Sequence, residues 1–227
     1  LSNIDGFNNT AIGNSSLYSN TTGNFNTALG NNSLYSNTTG NSNTAVGDTS
    51  LYSNTTGYSN TAIGVQSLLS NTTGQQNTAL GNNSLFSNTT GQQNTALGNN
   101  SLYSNIDGFN NTAIGLASLQ GNTTGYSNTA IGPGSLYNNT TGNDNIGIGS
   151  QAGVYRVSFL GATNSNNSIF IGSDTTSGAT TSNATNEIVI GHGAAGNGSN
   201  TITLGNNSVV TTYLKGKVQL PTIPTTS

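Results

Sequence analysis

Nine glycines fall seventeen residues apart, from Gly13, Gly30, Gly47 and Gly64 to Gly149, and all but the last close a block Asn-Thr-Ala-(Ile/Leu/Val)-Gly, as at residues 26–30. The register does not slip through eight full periods. A second block, Ser-Leu-Tyr-Ser-Asn-Thr-Thr-Gly, fills the space between, as at residues 33–40 and 50–57. A constant period of this size means one small unit stacked on copies of itself, so the chain is a solenoid and not a globule. Helix is excluded because every period carries glycine twice, and its filler of Asn, Ser and Thr favours turns over helix interiors. The apolar segments are also too short for helices. The fold class is therefore all-β, a parallel β-solenoid with coils of seventeen residues.

Each period holds two short apolar segments, both read here as strands separated by turns. Alternation then puts Thr27 and Leu29 on one face and Ala28 on the other, and turns Leu34 and Tyr35 opposite ways. The invariant column Leu17, Leu34, Leu51, Leu68, Leu85, Leu102, Leu119 and Leu136 is assigned to the interior. Its partner there is taken to be the Ile/Leu/Val column that starts Ile12, Leu29, Val46, Ile63. On that choice the Ala column and the aromatic column point outward, a large apolar patch for a monomer. Two aliphatic residues per coil make a thin core, which predicts lateral association of chains. The candidate interface is Ala28, Tyr35, Ala45, Tyr52, Ala79, Phe86, Ala96 and Tyr103. The Asn26 and Asn37 columns would stack as side-chain amide ladders.

Composition narrows the function classes. Only 4% of the residues are charged, and residues 1 to 155 contain no Lys or Arg. There is thus no basic patch for phosphates or anionic lipid, and nucleic acid is excluded as a partner. No apolar run is long enough to span a bilayer, so membrane insertion of this segment is not expected. Cys and Met are both absent. That suits exposure outside the cell, where oxidation attacks both. The start at Leu1 and the close at residues 220–227 read as an excised piece of something longer.

Catalysis needs positioned titratable groups, and six acids, three bases and one histidine are spread over the whole chain. Asp5 and Asp107 replace Thr in turns that read Ile-Asp-Gly, which is ordinary turn chemistry. His192 stands in a Gly-His-Gly turn with only Glu187 near it in sequence. Calcium-binding rolls need an acid in every coil, and these repeats mostly lack one. No enzyme activity, no cofactor and no metal are expected.

Near the C-terminus the blocks Asn-Ser-Ile-Phe-Ile-Gly at 167–172, Asn-Glu-Ile-Val-Ile-Gly at 186–191 and Asn-Thr-Ile-Thr-Leu-Gly at 200–205 resemble the Asn-Ser-Val-Ala-Ile-Gly motif of YadA-like heads in trimeric autotransporter adhesins. Gly191 and Gly205 lie fourteen apart, the period usual in that family. The seventeen-residue blocks look like a lengthened version, similar also to repeats in phage tail fibres. The resemblance covers nearly the whole chain. It implies a left-handed parallel β-roll, three chains about a threefold axis, and no enzymatic activity. The longer coil adds three residues in the turns, so the family's head contacts do not transfer position by position.

Three segments follow: regular coils over 1–153, irregular YadA-like coils over 154–207, and a neck or junction over 208–227 leading to a further module. The last lacks the family's usual neck sequence and holds two of the three basic residues. The chain reads as an extracellular structural and adhesive segment of a homotrimeric fibre, on a bacterial surface or a virion. It would give reach and repeated weak contact with a host-surface glycan or protein receptor. A row that varies inside the fixed repeat, with Phe25, Tyr58, Gln75, Gln92, Phe109 and Tyr126, is the candidate for recognition, although a solvated turn free to drift is the plainer reading. Altered rows at Leu116-Ala117 and Pro133-Gly134, and the irregular stretch 154–186 with Arg156, are the other places to look. The alternatives are an ice-binding solenoid, from the stacked Thr27 column, and a filament shaft without a ligand.

Overall fold

The computed structural model describes residues 5–154, 164–178 and 184–213. Arg156, Lys215 and Lys217, much of the irregular stretch 154–186 and the distal part of the 208–227 junction lie outside them. Each coil contributes one three-residue strand. These are β1 (Thr10–Ile12), β2 (Thr27–Leu29), β3 (Thr44–Val46), β4 (Thr61–Ile63), β5 (Thr78–Leu80) and β6 (Thr95–Leu97), then β7 (Thr112–Ile114), β8 (Thr129–Ile131), β9 (Ile146–Ile148), β10 (Ile169–Ile171), β11 (Ile188–Ile190) and β12 (Ile202–Leu204). They form a single twelve-stranded parallel sheet in chain order. Repeat pairs with repeat without offset, Thr27 opposite Thr44 and Ala28 opposite Ala45. The sheet does not break where the seventeen-residue period ends, because β9 pairs with β10 and places Ile146 opposite Ile169.

The interior is not the one expected from the sequence. Leu34 and its column are buried, but the second buried apolar column is Ala28, Ala45, Ala62, Ala79, Ala96, Ala113 and Ala130, each with no exposed surface. The Ile/Leu/Val column faces outward: Leu29 and Leu80 are each 44% exposed. Thr and Leu do alternate against Ala as expected, but it is the Ala side that turns inward. The physical reason is space. Gly147 takes the alanine position in β9, and a methyl there would come within 2.6 Å of Ser135 Oγ and 2.8 Å of Leu136 Cγ. The fully buried alanines show that the earlier coils have room for a methyl group opposite each leucine, and at Gly147 there is not even that.

The second apolar segment is a turn and not a strand. Leu34 sits at φ +51°, in the left-handed region, with Asn32 at +53° two residues before it. This conformation aims Leu34 inward and Tyr35 outward while the chain reverses. Hydrogen bonds to the next coil still form there, Leu34 N–H donating to Ser50 O and Ser36 N–H to Tyr52 O, both at 3.0 Å.

Amides fill the rest of the interior. Asn37 Nδ2 donates to Asn20 Oδ1 at 2.8 Å and to Gly40 O at 3.0 Å. Its own Oδ1 accepts from Asn54 Nδ2. In the second ladder Asn43 Nδ2 donates to Asn26 Oδ1 and to Gly57 O, and its Oδ1 accepts from both Asn60 nitrogens. Both side-chain N–H groups and the carbonyl are therefore satisfied, which is the condition for burying an amide at little cost. Gly40 lies between the ladders, its carbonyl accepting from Asn26 and Asn37 together. A Cβ at Gly40 would stand 2.4 Å from Asn37 Oδ1, so the position excludes a side chain.

The last coils exchange volume between the walls. Where the leucine column becomes Gly153, the alanine column becomes Phe170, which is buried. A Cβ on Gly153 would meet Phe170 at 2.9 Å and Leu136 at 2.8 Å, so the ring occupies what a leucine would have filled. Large and small have changed sides at similar total volume.

Candidate interaction surfaces

Two ranks of side chains stand on the outer face of the sheet. One is the Thr column from Thr10 to Thr129, continued by Ile146, Ile169, Ile188 and Ile202; the other is the Ile/Leu/Val column from Ile12 to Leu204. From β9 to β12 both ranks are aliphatic, and residue 203 between the last pair is a threonine. Strand spacing puts successive rungs about 4.8 Å apart, so the face runs roughly 50–55 Å along the stack. Sequence reasoning missed this surface. The signal that reveals it lies inside the repeat: Ala is constant from Ala11 to Ala130 and Leu from Leu17 to Leu136, whereas the outward position drifts among Ile, Leu and Val.

The candidate lateral interface is thereby divided. Ala28, Ala45, Ala79 and Ala96 are sealed inside a single chain and touch no neighbour, a correction that follows from the space argument above. Tyr35, Tyr52, Phe86 and Tyr103 do stand on the outside, half-buried against one another. Tyr18, Tyr35 and Tyr52 stack with ring centroids 5.2 and 5.1 Å apart and planes within 8°; Phe86 and Tyr103 stack at 4.9 Å. Rings stacked this way cover each other's faces and present edges to solvent. Leu69 and Gln120 interrupt the column.

Of the candidate recognition residues, Tyr58, Gln75, Gln92, Phe109 and Tyr126 occupy five consecutive rungs of one column. Gln75 Nε2 donates to Gln92 Oε1 at 2.7 Å, and Phe109 stacks on Tyr126 at 4.8 Å. Phe25 stands one column over, edge-on to Phe7 at 5.5 Å. These planar groups form an exposed stripe along one corner of the coil.

Among the described residues the titratable groups do not assemble. His192 is exposed, while Glu187 is fully buried and accepts from Ser177 Oγ at 2.5 Å, Gly178 N–H at 3.1 Å and Gly198 N–H at 2.8 Å. Glu187 occupies the register of the second amide ladder, where Asn145 and Ser168 precede it, and its carboxylate ties together backbone from two coils. Among the described residues no three His, Cys, Asp or Glu side chains gather within reach of a metal ion, and no helix is long and apolar enough to cross a membrane. The Asn-Thr-Thr sequons at Asn20 and Asn71 are buried ladder members whose Nδ2 groups are already engaged.

No protein-family model matches the chain, and no curated protein matches it in sequence.

Proposed function

We propose that this chain is a non-enzymatic segment of an extracellular fibre, a bacterial surface adhesin or a phage tail fibre, in which three copies of a left-handed β-roll lie side by side. Its work is mechanical reach together with repeated weak contact to a host-surface glycan or protein receptor. The observation that carries the reading is the two-rank outer face of the sheet. A monomer seldom leaves so long a rank of aliphatic side chains in water. The Thr and aliphatic ranks repeat at the same spacing in every copy, so an identical chain in the same orientation matches them rung for rung, and the face carries no charge to oppose contact. The lateral contact moves accordingly from the Ala column to the Thr27 and Leu29 columns. The number three and the left hand come from the resemblance to YadA-like heads, whose motif recurs in β10, β11 and β12. Many linked weak sites on one rod gain through effective concentration.

The test is the mass of the native particle by light scattering. Three chains is the expected result, and a stable monomer at micromolar concentration overturns it. The same face favours one competing reading, since a parallel sheet that carries a rank of eight threonines in register on its outer side presents evenly spaced hydroxyls to water. A monomer showing thermal hysteresis would establish that reading instead. A three-chain particle that binds no receptor would leave a shaft without a ligand.

A further inference from the structure

The aromatic column and the altered rows converge on one place. Tyr137 follows Gln120 and precedes Val154 in the aromatic column, and among the described residues it stacks on no other ring. It is 40% exposed. Beside it the column that elsewhere holds polar side chains, Ser15, Asn32, Thr49, Gln66, Asn83, Asn100 and Gln151, shrinks to Ala117 and Gly134 on consecutive coils. The backbone does not change course there. Gly134 N–H donates to Leu116 O and Gln151 N–H to Pro133 O at 2.8 Å, and Ala117 and Gly134 keep the left-handed φ of the column at +55° and +64°. Loss of side chains alone opens a cleft of about 460 Å³. Leu116, Pro133, Val154 and the Tyr137 ring give it apolar surface, and Asn138, Ser150 and Gln151 give it amides and a hydroxyl.

The chemistry of this lining selects its ligand. Among the described residues that line it none is charged, so these supply neither a counter-ion for a phosphate or carboxylate nor ligands for a cation. The volume lies within the range of small-molecule sites, and apolar walls with a few polar groups are their common composition. An unpaired aromatic face beside neutral donors and acceptors suits a molecule with one C–H face and a rim of hydroxyls. We propose that the cleft is a subsite for a neutral saccharide, with one pyranose ring laid on Tyr137 and its hydroxyls hydrogen-bonded to Asn138, Ser150 and Gln151. The stacked ring Tyr35 has no such role, because Tyr18 and Tyr52 cover both its faces. The site rests on the adhesive half of the proposed function and assigns that half a ligand class and a location.

The experiment is saturation-transfer NMR on the whole chain with a panel of neutral sugars: glucose, galactose, mannose, N-acetylglucosamine, N-acetylgalactosamine and their common disaccharides, with glucuronate and N-acetylneuraminate as charged controls. Saturation is expected for at least one neutral sugar, concentrated on protons of one ring face. Tyr137→Ala and Gly134→Asn should each weaken it at least about tenfold, as expected for loss of an aromatic contact or occupation of the site. Gly134→Asn is the sharper variant. It introduces the residue found at Asn32, Asn83 and Asn100 in this column, a Cβ at Gly134 meets only Gln151 Cγ at an ordinary 3.5 Å, and the thermal midpoint should not fall. Phe109→Ala, on the other aromatic stripe, should leave the signal unchanged. Silence across the neutral panel overturns the proposal, as does a signal that survives Gly134→Asn or is lost in Phe109→Ala. Light scattering on the same samples separates the two readings: a three-chain particle without saturation removes the sugar site alone, and a monomer that binds removes the trimer alone.

Discussion

Three residues in each of the seven coils from Ser15 to Ser127 adopt left-handed backbone without being glycine, as Asn32, Leu34 and Ser42 do at φ +53°, +51° and +56°. Such a conformation costs an L-residue roughly 1–2 kcal/mol. It persists because each of these N–H groups reaches a neighbouring coil: Asn32 to Asn14 O, Leu34 to Ser50 O and Ser42 to Asn24 O, at 2.9–3.0 Å. Asn is the commonest occupant of the first position because it tolerates this region best among residues with side chains. Thr49 breaks that preference. It is β-branched at φ +52°, and its buried Oγ1 has no hydrogen-bond partner. Both penalties vanish in Thr49→Gly, a residue the same column already accepts at Gly134. The backbone entropy lost by glycine offsets about 1 kcal/mol of the gain. The variant should still stabilise by about 1 kcal/mol, seen as a thermal midpoint raised by about 2–4 °C; a lower midpoint would mean that the threonine is not strained.

The coil as an element was legible where stacking dictates residue type and illegible where it dictates only size. The seventeen-residue period and the amide ladders follow from the columns themselves, since a side chain repeated in register meets its own copy. Which face of Thr27-Ala28-Leu29 turns inward depends on the width of the coil, and hydrophobicity pointed the wrong way because Leu29 is the more apolar. The constancy of Ala against the drift of Leu, Ile and Val carried the answer. Two predictions test the element. In Asn71→Asp the donors to Asn54 Oδ1 and Gly74 O are lost and a carboxylate faces an amide oxygen. The cost should be about 3 kcal/mol or more at neutral pH. Protonation returns one donor, so the folded variant binds its proton more tightly than the unfolded chain, and the deficit should shrink as pH falls. Equal midpoints for variant and wild type at pH 7 would show that the ladder adds no stability. The volume exchange at Phe170 is tested by coupling. Phe170→Ala leaves a cavity and should cost about 3–5 kcal/mol. Gly153→Leu alone meets the ring. Together they rebuild the Leu–Ala pairing of the earlier coils, and the double variant should be more stable than the sum of the two single changes allows.

For the whole molecule the decisive distinction is between residues one position apart. Ala79 and Leu80 are neighbours in β5, one sealed inside the coil and the other 44% exposed on the sheet face. Ala79→Leu overfills the interior, where the facing leucine column leaves room for a methyl group only, and should cost at least about 1–3 kcal/mol in each chain whether or not chains associate. Leu80→Asp paired with Ile114→Asp places two carboxylates on the outer face at positions that the single-chain interior does not use. If copies of the chain meet through this face, each particle must bury or repel several unpaired charges, and association should fail while the coil remains. The expected outcome is a mass that falls from three chains to one, with the β-type circular dichroism of the wild type retained. The midpoint of the variant should lose the concentration dependence that an assembled particle shows. A variant that stays trimeric would move the contact off the sheet face, leaving the edges of the Tyr35 and Tyr52 stack as the surface on which the chains meet.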